Sequence, residues 1–130
     1  MRQVERDLRL RTVDDAEIAG RHARLRAGMR QHGLDGLLLT DEPNVVYATG
    51  LSVPSFTTRA RPLMVLLPAA DDDQPVLICS RSQSANARSS SSIQQIATFE
   101  RFEPDAVEVA RDVAHQLGLA AGRIGCEIGP

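Results

Sequence analysis

Gly33-Leu34-Asp35-Gly36-Leu37-Leu38-Leu39-Thr40-Asp41-Glu42-Pro43-Asn44-Val45-Val46-Tyr47-Ala48-Thr49-Gly50 is the stretch from which the fold can be read. Gly33 marks a helix exit, because glycine enters the left-handed backbone region without steric cost and lets Leu34 fold back onto the last turn. Gly36 to Thr40 is an almost unbroken apolar run of strand length, the pattern of a central strand covered on both faces. Pro43 lacks the N–H that a ladder needs and stops the strand. Asn44 to Ala48 then reads as one short helical turn closed by Gly50.

Before this stretch, Asp14 is placed to cap the free N–H groups of a helix, and Glu17 stands three residues on, the Asp-x-x-Glu form of a capping box. Ile18, His22, Leu25 and Met29 form one stripe at helical period. A single histidine on such a stripe reads as a boundary residue with satisfied ring nitrogens, since no second ligand stands one turn away. Met1 to Val13 is a charged lead-in whose Leu8, Leu10 and Val13 could pack a short arm.

After it, Leu51 to Pro62 is polar and irregular, with Pro54, Phe56, Thr57, Thr58, Arg59 and Arg61. An aromatic residue and two arginines on an exposed loop carry more binding capacity than packing requires, so this is a candidate working surface. The plainer reading is a solvent loop whose arginines pair with local acids. Leu63 to Leu67 is a second apolar strand ended by Pro68. Val76 to Cys79 returns antiparallel to it, because so short a connection cannot make a parallel crossover. Asp71, Asp72 and Asp73 lie between them; adjacent carboxylates lack the alternate spacing, glycine and distal Glu of a calcium loop, and read as a solvated hairpin tip.

Ser80 to Ser92 is expected to be helical, and Ile93 to Phe99 a fourth strand. Pro104 fits the first helical position, with Val107, Ala110, Ala114 and Leu117 on one face. Gly118-Leu119 repeats the Gly-Leu exit, and Arg123 to Ile128 forms a fifth strand. Helix, Gly-Leu and strand thus occur twice. That repetition predicts an α/β fold: a mixed sheet of about five strands with helices on both faces.

At 130 residues the chain is one domain, a size that buries about two-thirds of the surface its unfolded form exposes. No apolar run approaches the roughly 20 residues needed to span a bilayer, and the charged start lacks an apolar signal-peptide region; the expectation is a cytoplasmic protein with no membrane partner. A net charge of −2 speaks against nucleic acid, which needs a concentrated positive surface. All fifteen basic residues are Arg, and eight of them fall in the first thirty positions against five acids. This reads as a solvated helix face with i, i+4 pairing more than as an anion-binding surface. Cys79 and Cys126 lie within predicted strands without CxxC spacing, which predicts two reduced, buried thiols.

The order Asp35, apolar run, Asn44, Tyr47, Thr49, Gly50 resembles the amino-terminal domain of the creatinase, prolidase and aminopeptidase P family of Xaa-Pro metallopeptidases. An Arg-rich helix ending in Arg24-Leu25-Arg26, the Arg61-Pro62-Leu63-Met64-Val65-Leu66-Leu67-Pro68 segment and the closing Arg123-Ile124-Gly125 fall in the family's order, so the resemblance runs from about Ala16 to Ile128. It implies a domain over 14–130 with a ribonuclease H-like motif, following the lead-in at 1–13. It also implies that the chemistry belongs to a carboxy-terminal catalytic domain absent from this chain. There Asp, Asp, His, Glu and Glu would hold two divalent metal ions (manganese, cobalt or zinc) that activate a bridging water.

None of those ligands is present here. His22, His32 and His115 are scattered, and no Gly-rich phosphate loop, Gly-x-Ser-x-Gly elbow or Cys–His pair occurs. The isolated chain is therefore expected to hold no catalytic residue and no metal, and to hydrolyse nothing with or without manganese. The resemblance further implies a hydrolase parent, its own catalytic domain as partner, a homodimer, and a small peptide substrate. In it Phe56, Arg59 and Arg61 would contact a substrate carboxylate or the neighbouring subunit. Two alternatives remain. One is a non-enzymatic protein-binding or scaffolding module of the same architecture. The other is a free-standing small-ligand domain of flavodoxin type, to which Asp41 and Glu42 after the first strand give slight support, since two acids there also signal a helix start.

Overall fold

The computed structural model describes residues 13–51, 62–100 and 103–127. Helix α1 (Asp15–His32) opens at Asp14, whose Oδ1 accepts the Glu17 N–H at 2.8 Å. The Glu17 carboxylate runs along the helix surface to Arg21 at 3.1 Å and Arg24 at 3.4 Å. Ile18, His22 and Met29 are buried and Leu25 is half-buried, as the stripe predicts. The helix closes at Gly33, φ 68°, whose N–H bonds the Arg30 carbonyl while the Leu34 N–H bonds that of Met29 at 2.8 Å. These paired bonds satisfy carbonyls that the helix end would otherwise strand.

The chain continues through β1 (Gly36–Leu39), α2 (Glu42–Thr49), β2 (Met64–Pro68) and β3 (Val76–Ser80). A 3-10 turn (Arg81–Gln83), α3 (Ser84–Ser90), β4 (Gln95–Phe99), α4 (Glu103–Gln116) and β5 (Ile124–Cys126) complete it. The strands form one mixed α/β sheet in the order β4-β3-β2-β1-β5. β2 is antiparallel to β1 and β3, whereas β3–β4 and β1–β5 are parallel. After α4 the exit expected at Gly118 forms at φ 74°, with the Leu119 N–H on the Ala114 carbonyl at 2.8 Å.

Alternation along the strands divides the core into two layers. Leu37, Leu39, Val65, Leu77 and Cys79 face α2 and α3 together with Leu25 of α1. Leu38, Met64, Leu66, Ile78 and Phe99 face α4. Helices thus cover both faces, as expected. Val65, Leu67, Leu77 and Ile78 have 0% exposure, and each such side chain contributes about 1.5–3 kcal/mol relative to leaving it in water. The middle strands anchor the domain.

Three local expectations need correction. The helix expected from Ser80 to Ser92 begins as a 3-10 turn and is α-helical only from Ser84 to Ser90. Serine hydroxyls there bond nearby backbone, as Ser84 Oγ does to the Arg81 carbonyl at 2.8 Å, and compete with helical pairing. The fourth strand starts at Gln95 rather than Ile93, which is buried in the connection before it. Cys79 is buried but Cys126 is exposed, because β5 is the edge strand. Residues 1–12 of the expected lead-in, and Phe56, Arg59 and Arg61, expected on a loop, lie outside the described residues.

Candidate functional site

Asp35 stands between α1 and β1. Its N–H donates to the Arg123 carbonyl and its Oδ2 accepts the Arg123 N–H, both at 2.8 Å, while its own carbonyl accepts the Ala69 N–H at 2.9 Å. One residue therefore ties the start of β1 to the end of β2 and the start of β5. Gly122 makes room for this contact, since a Cβ there would stand 3.0 Å from Asp35 Oδ2.

Tyr47 joins α2 to α1. The Arg21 guanidinium lies 4.8 Å from the ring centroid, Arg21 Nη1 donates to the Tyr47 carbonyl at 3.0 Å, and Arg24 Nε donates to the phenol oxygen at 3.3 Å. Thr49 is fully buried. Its hydroxyl donates to the Val45 carbonyl at 2.7 Å and accepts the Leu51 N–H at 2.9 Å, and Gly50 turns the chain at φ 68°. The Thr49 carbonyl accepts the Ser92 N–H at 3.0 Å, which pins the α3–β4 connection to the end of α2.

Asn44 donates from Nδ2 to Glu127 Oε2 at 3.0 Å. Glu127 is the centre of a wider cluster: its carboxylate also accepts the Thr40 N–H at 2.9 Å, the Thr40 hydroxyl at 3.2 Å and the Asp41 N–H at 3.0 Å. Burial pushes the Glu127 carboxyl upward, but hydrogen bonds from Asp41, Asn44 and Thr40 outweigh it and hold the group below its ordinary value. Sequence reasoning did not single out Glu127. Glu127 was expected inside a fifth strand from Arg123 to Ile128, but that strand ends at Cys126, and the parallel pairing with β1 carries the acid to the start of α2.

The arginines of α1 reach across to other elements. Arg26 donates to the Pro68 and Asp73 carbonyls at 2.9 and 2.6 Å, and Arg30 meets Asp71 at 3.3 Å, so the hairpin tip is held to α1. His22 is buried with Nε2 2.7 Å from the Ala48 carbonyl, an arrangement in which neutral imidazole donates from Nε2. Burial, against the opposing effect of the Ala48 bond and with the repulsion of Arg26, lowers its pKa. Among the described residues no group of three His, Cys, Asp or Glu could hold a metal ion, and no helix is long and apolar enough to cross a membrane. A groove of about 450 Å³ is lined by Asp35, Pro68, Asp73 and Leu117. A second, of about 420 Å³, is lined by Asp15, Ile18, His22 and Gln95. The second groove also holds Ser92, but its hydroxyl donates to the Thr49 carbonyl at 3.3 Å while His22 Nε2 meets the Ala48 carbonyl, so the two are not paired, and Asn44, Tyr47, Thr49 and Gly50 line neither groove. The motif residues Asp35, Asn44, Tyr47, Thr49 and Gly50 all bond within the protein itself.

The family model described as the creatinase/prolidase N-terminal domain matches residues 21–128. The chain belongs to that family. Among solved structures it is similar to the dipeptidase PepE from Mycobacterium ulcerans, at 25% identity and TM-score 0.62 over 82% of this chain and 27% of that one. It is similar also to the N-terminal domain of the cytoplasmic peptidase PepQ from Mycobacterium tuberculosis H37Rv, at 26% identity and TM-score 0.61 over 83% of this chain and 72% of that one. The creatinase/prolidase N-terminal domain of an X-Pro dipeptidase from Streptococcus pyogenes shares the fold at 16% identity and TM-score 0.59, with 83% of this chain and 99% of that one covered. This creatinase/prolidase N-terminal domain thus spans only 27% of the PepE dipeptidase. No curated protein matches it.

Proposed function

We propose that this chain serves as the non-catalytic amino-terminal domain of a metal-dependent Xaa-Pro hydrolase of the dipeptidase, aminopeptidase P or creatinase type. It shapes the substrate cleft and the dimer interface of a cytoplasmic protein. The observation that carries the reading is the use of the family motif: Asp35, Asn44, Tyr47 and Thr49 are all spent on holding elements together, which leaves the chemistry to other polypeptide. Two divalent ions would act there, polarising substrate and activating water. Phe56, Arg59 and Arg61 would contact the substrate or the second subunit.

The test compares the 130-residue chain with its parent polypeptide on a Xaa-Pro dipeptide in the presence of manganese. The parent is expected to turn over and the chain alone to be inert. Arg59→Ala and Arg61→Ala should raise KM in the parent with kcat little changed, the signature of lost uniform binding. Turnover by the chain alone would overturn the reading. An inactive parent that captures a protein partner would replace it with the scaffolding alternative.

A further inference from the structure

β5 is three residues long, lies at the sheet edge and pairs with β1. Ile124 is 38% exposed and Cys126 is exposed, so apolar burial does little to hold this strand. Carboxylates grip both of its ends. Before it, Asp35 brackets Arg123 with two bonds of 2.8 Å. Behind it, Glu127 crosses to the β1–α2 corner, where Thr40 N, Thr40 Oγ1, Asp41 N and Asn44 Nδ2 converge on its two oxygens at 2.9–3.2 Å.

That corner lies beyond the carboxyl ends of two adjacent parallel strands, β1 and β5, the side on which open α/β sheets commonly leave space for a ligand. Here a side chain of the protein fills it. The bonds to an ionised acceptor are the strong kind, and the start of α2 adds a favourable dipole.

We propose that Glu127 is a positioning residue: its carboxylate, seated in the corner of Thr40, Asp41 and Asn44, latches the end of β5 to the β1–α2 corner and so holds β5 in register on β1. The latch stands on the geometry.

Amide hydrogen exchange on the chain itself provides the test, with Glu127→Gln, which keeps the volume, and Glu127→Ala, which empties the corner. Exchange at the β5 amides and at Thr40 and Asp41 should accelerate by roughly tenfold or more, while β2 and β3 keep their protection. Excess acetate should slow exchange in Glu127→Ala, and chloride at equal ionic strength should not. Adding Asn44→Ala should weaken the acetate effect. Unchanged β5 exchange, an equal rise across the whole sheet, or chloride acting as well as acetate would each overturn the latch. A parent without hydrolase activity would defeat the proposed function yet leave these exchange results standing.

Discussion

The guanidinium of Arg21 is stacked on Tyr47, 4.8 Å from the ring centroid, and also donates to the Tyr47 carbonyl at 3.0 Å. A side chain of α1 thereby holds both the ring and the backbone of α2. Replacing Arg21 by Lys removes the planar partner and should cost about 0.5–1 kcal/mol, read by denaturant unfolding. Tyr47→Phe keeps the ring and should be nearly neutral, whereas Tyr47→Leu should cost as much as Arg21→Lys. Equal losses from Phe and Leu would mean that the phenol hydroxyl, not the stack, is what matters.

Thr49 is fully buried and its hydroxyl both donates to Val45 and accepts from Leu51. Thr49→Val preserves the shape and leaves the Leu51 N–H without its acceptor, so the expected loss is about 1–3 kcal/mol of stability. Thermal unfolding checks it, and Thr49→Ser should recover most of the deficit.

His22 has a folded-state pKa below the ordinary 6.5. The unfolded chain therefore takes up the proton first, and stability present above pH 6.5 should decline as pH falls from there toward the lowered value. Denaturant midpoints measured across that range should show the decline, and His22→Gln should flatten it. A midpoint in His22→Gln that drops as steeply as in the wild type would assign the effect to the carboxylates.

Burial pushes the Cys79 thiol up to about 11, while Cys126 is exposed on the edge strand. A thiolate reagent at neutral pH should label one cysteine rapidly in the native chain and the second only after unfolding. Mass spectrometry of the labelled peptides should place the rapid label on Cys126. Rapid native labelling of Cys79 would contradict the packing of its layer.

Much of the architecture is legible in the order of the residues. The stripe of Ile18, His22, Leu25 and Met29 and the exits at Gly33 and Gly118 are local signals, and each appears where expected. The serine-rich segment was less legible because hydroxyl–backbone bonds compete with the helix within a few residues. The exposure of Cys126 was hidden because an edge strand and an inner strand can share the same short apolar run.

The order of the elements, the helix-flanked mixed sheet and the resemblance to the family were readable from residue order alone, because apolar period and turn chemistry act over a few residues. What the motif residues bond to became visible only in the folded domain. Asn44 meets Glu127 across 83 positions and Asp35 meets Arg123 across 88. Contacts that distant depend on which strands become neighbours, and β5 lies beside β1 only because the chain crosses from β4 at one edge of the sheet to the other edge.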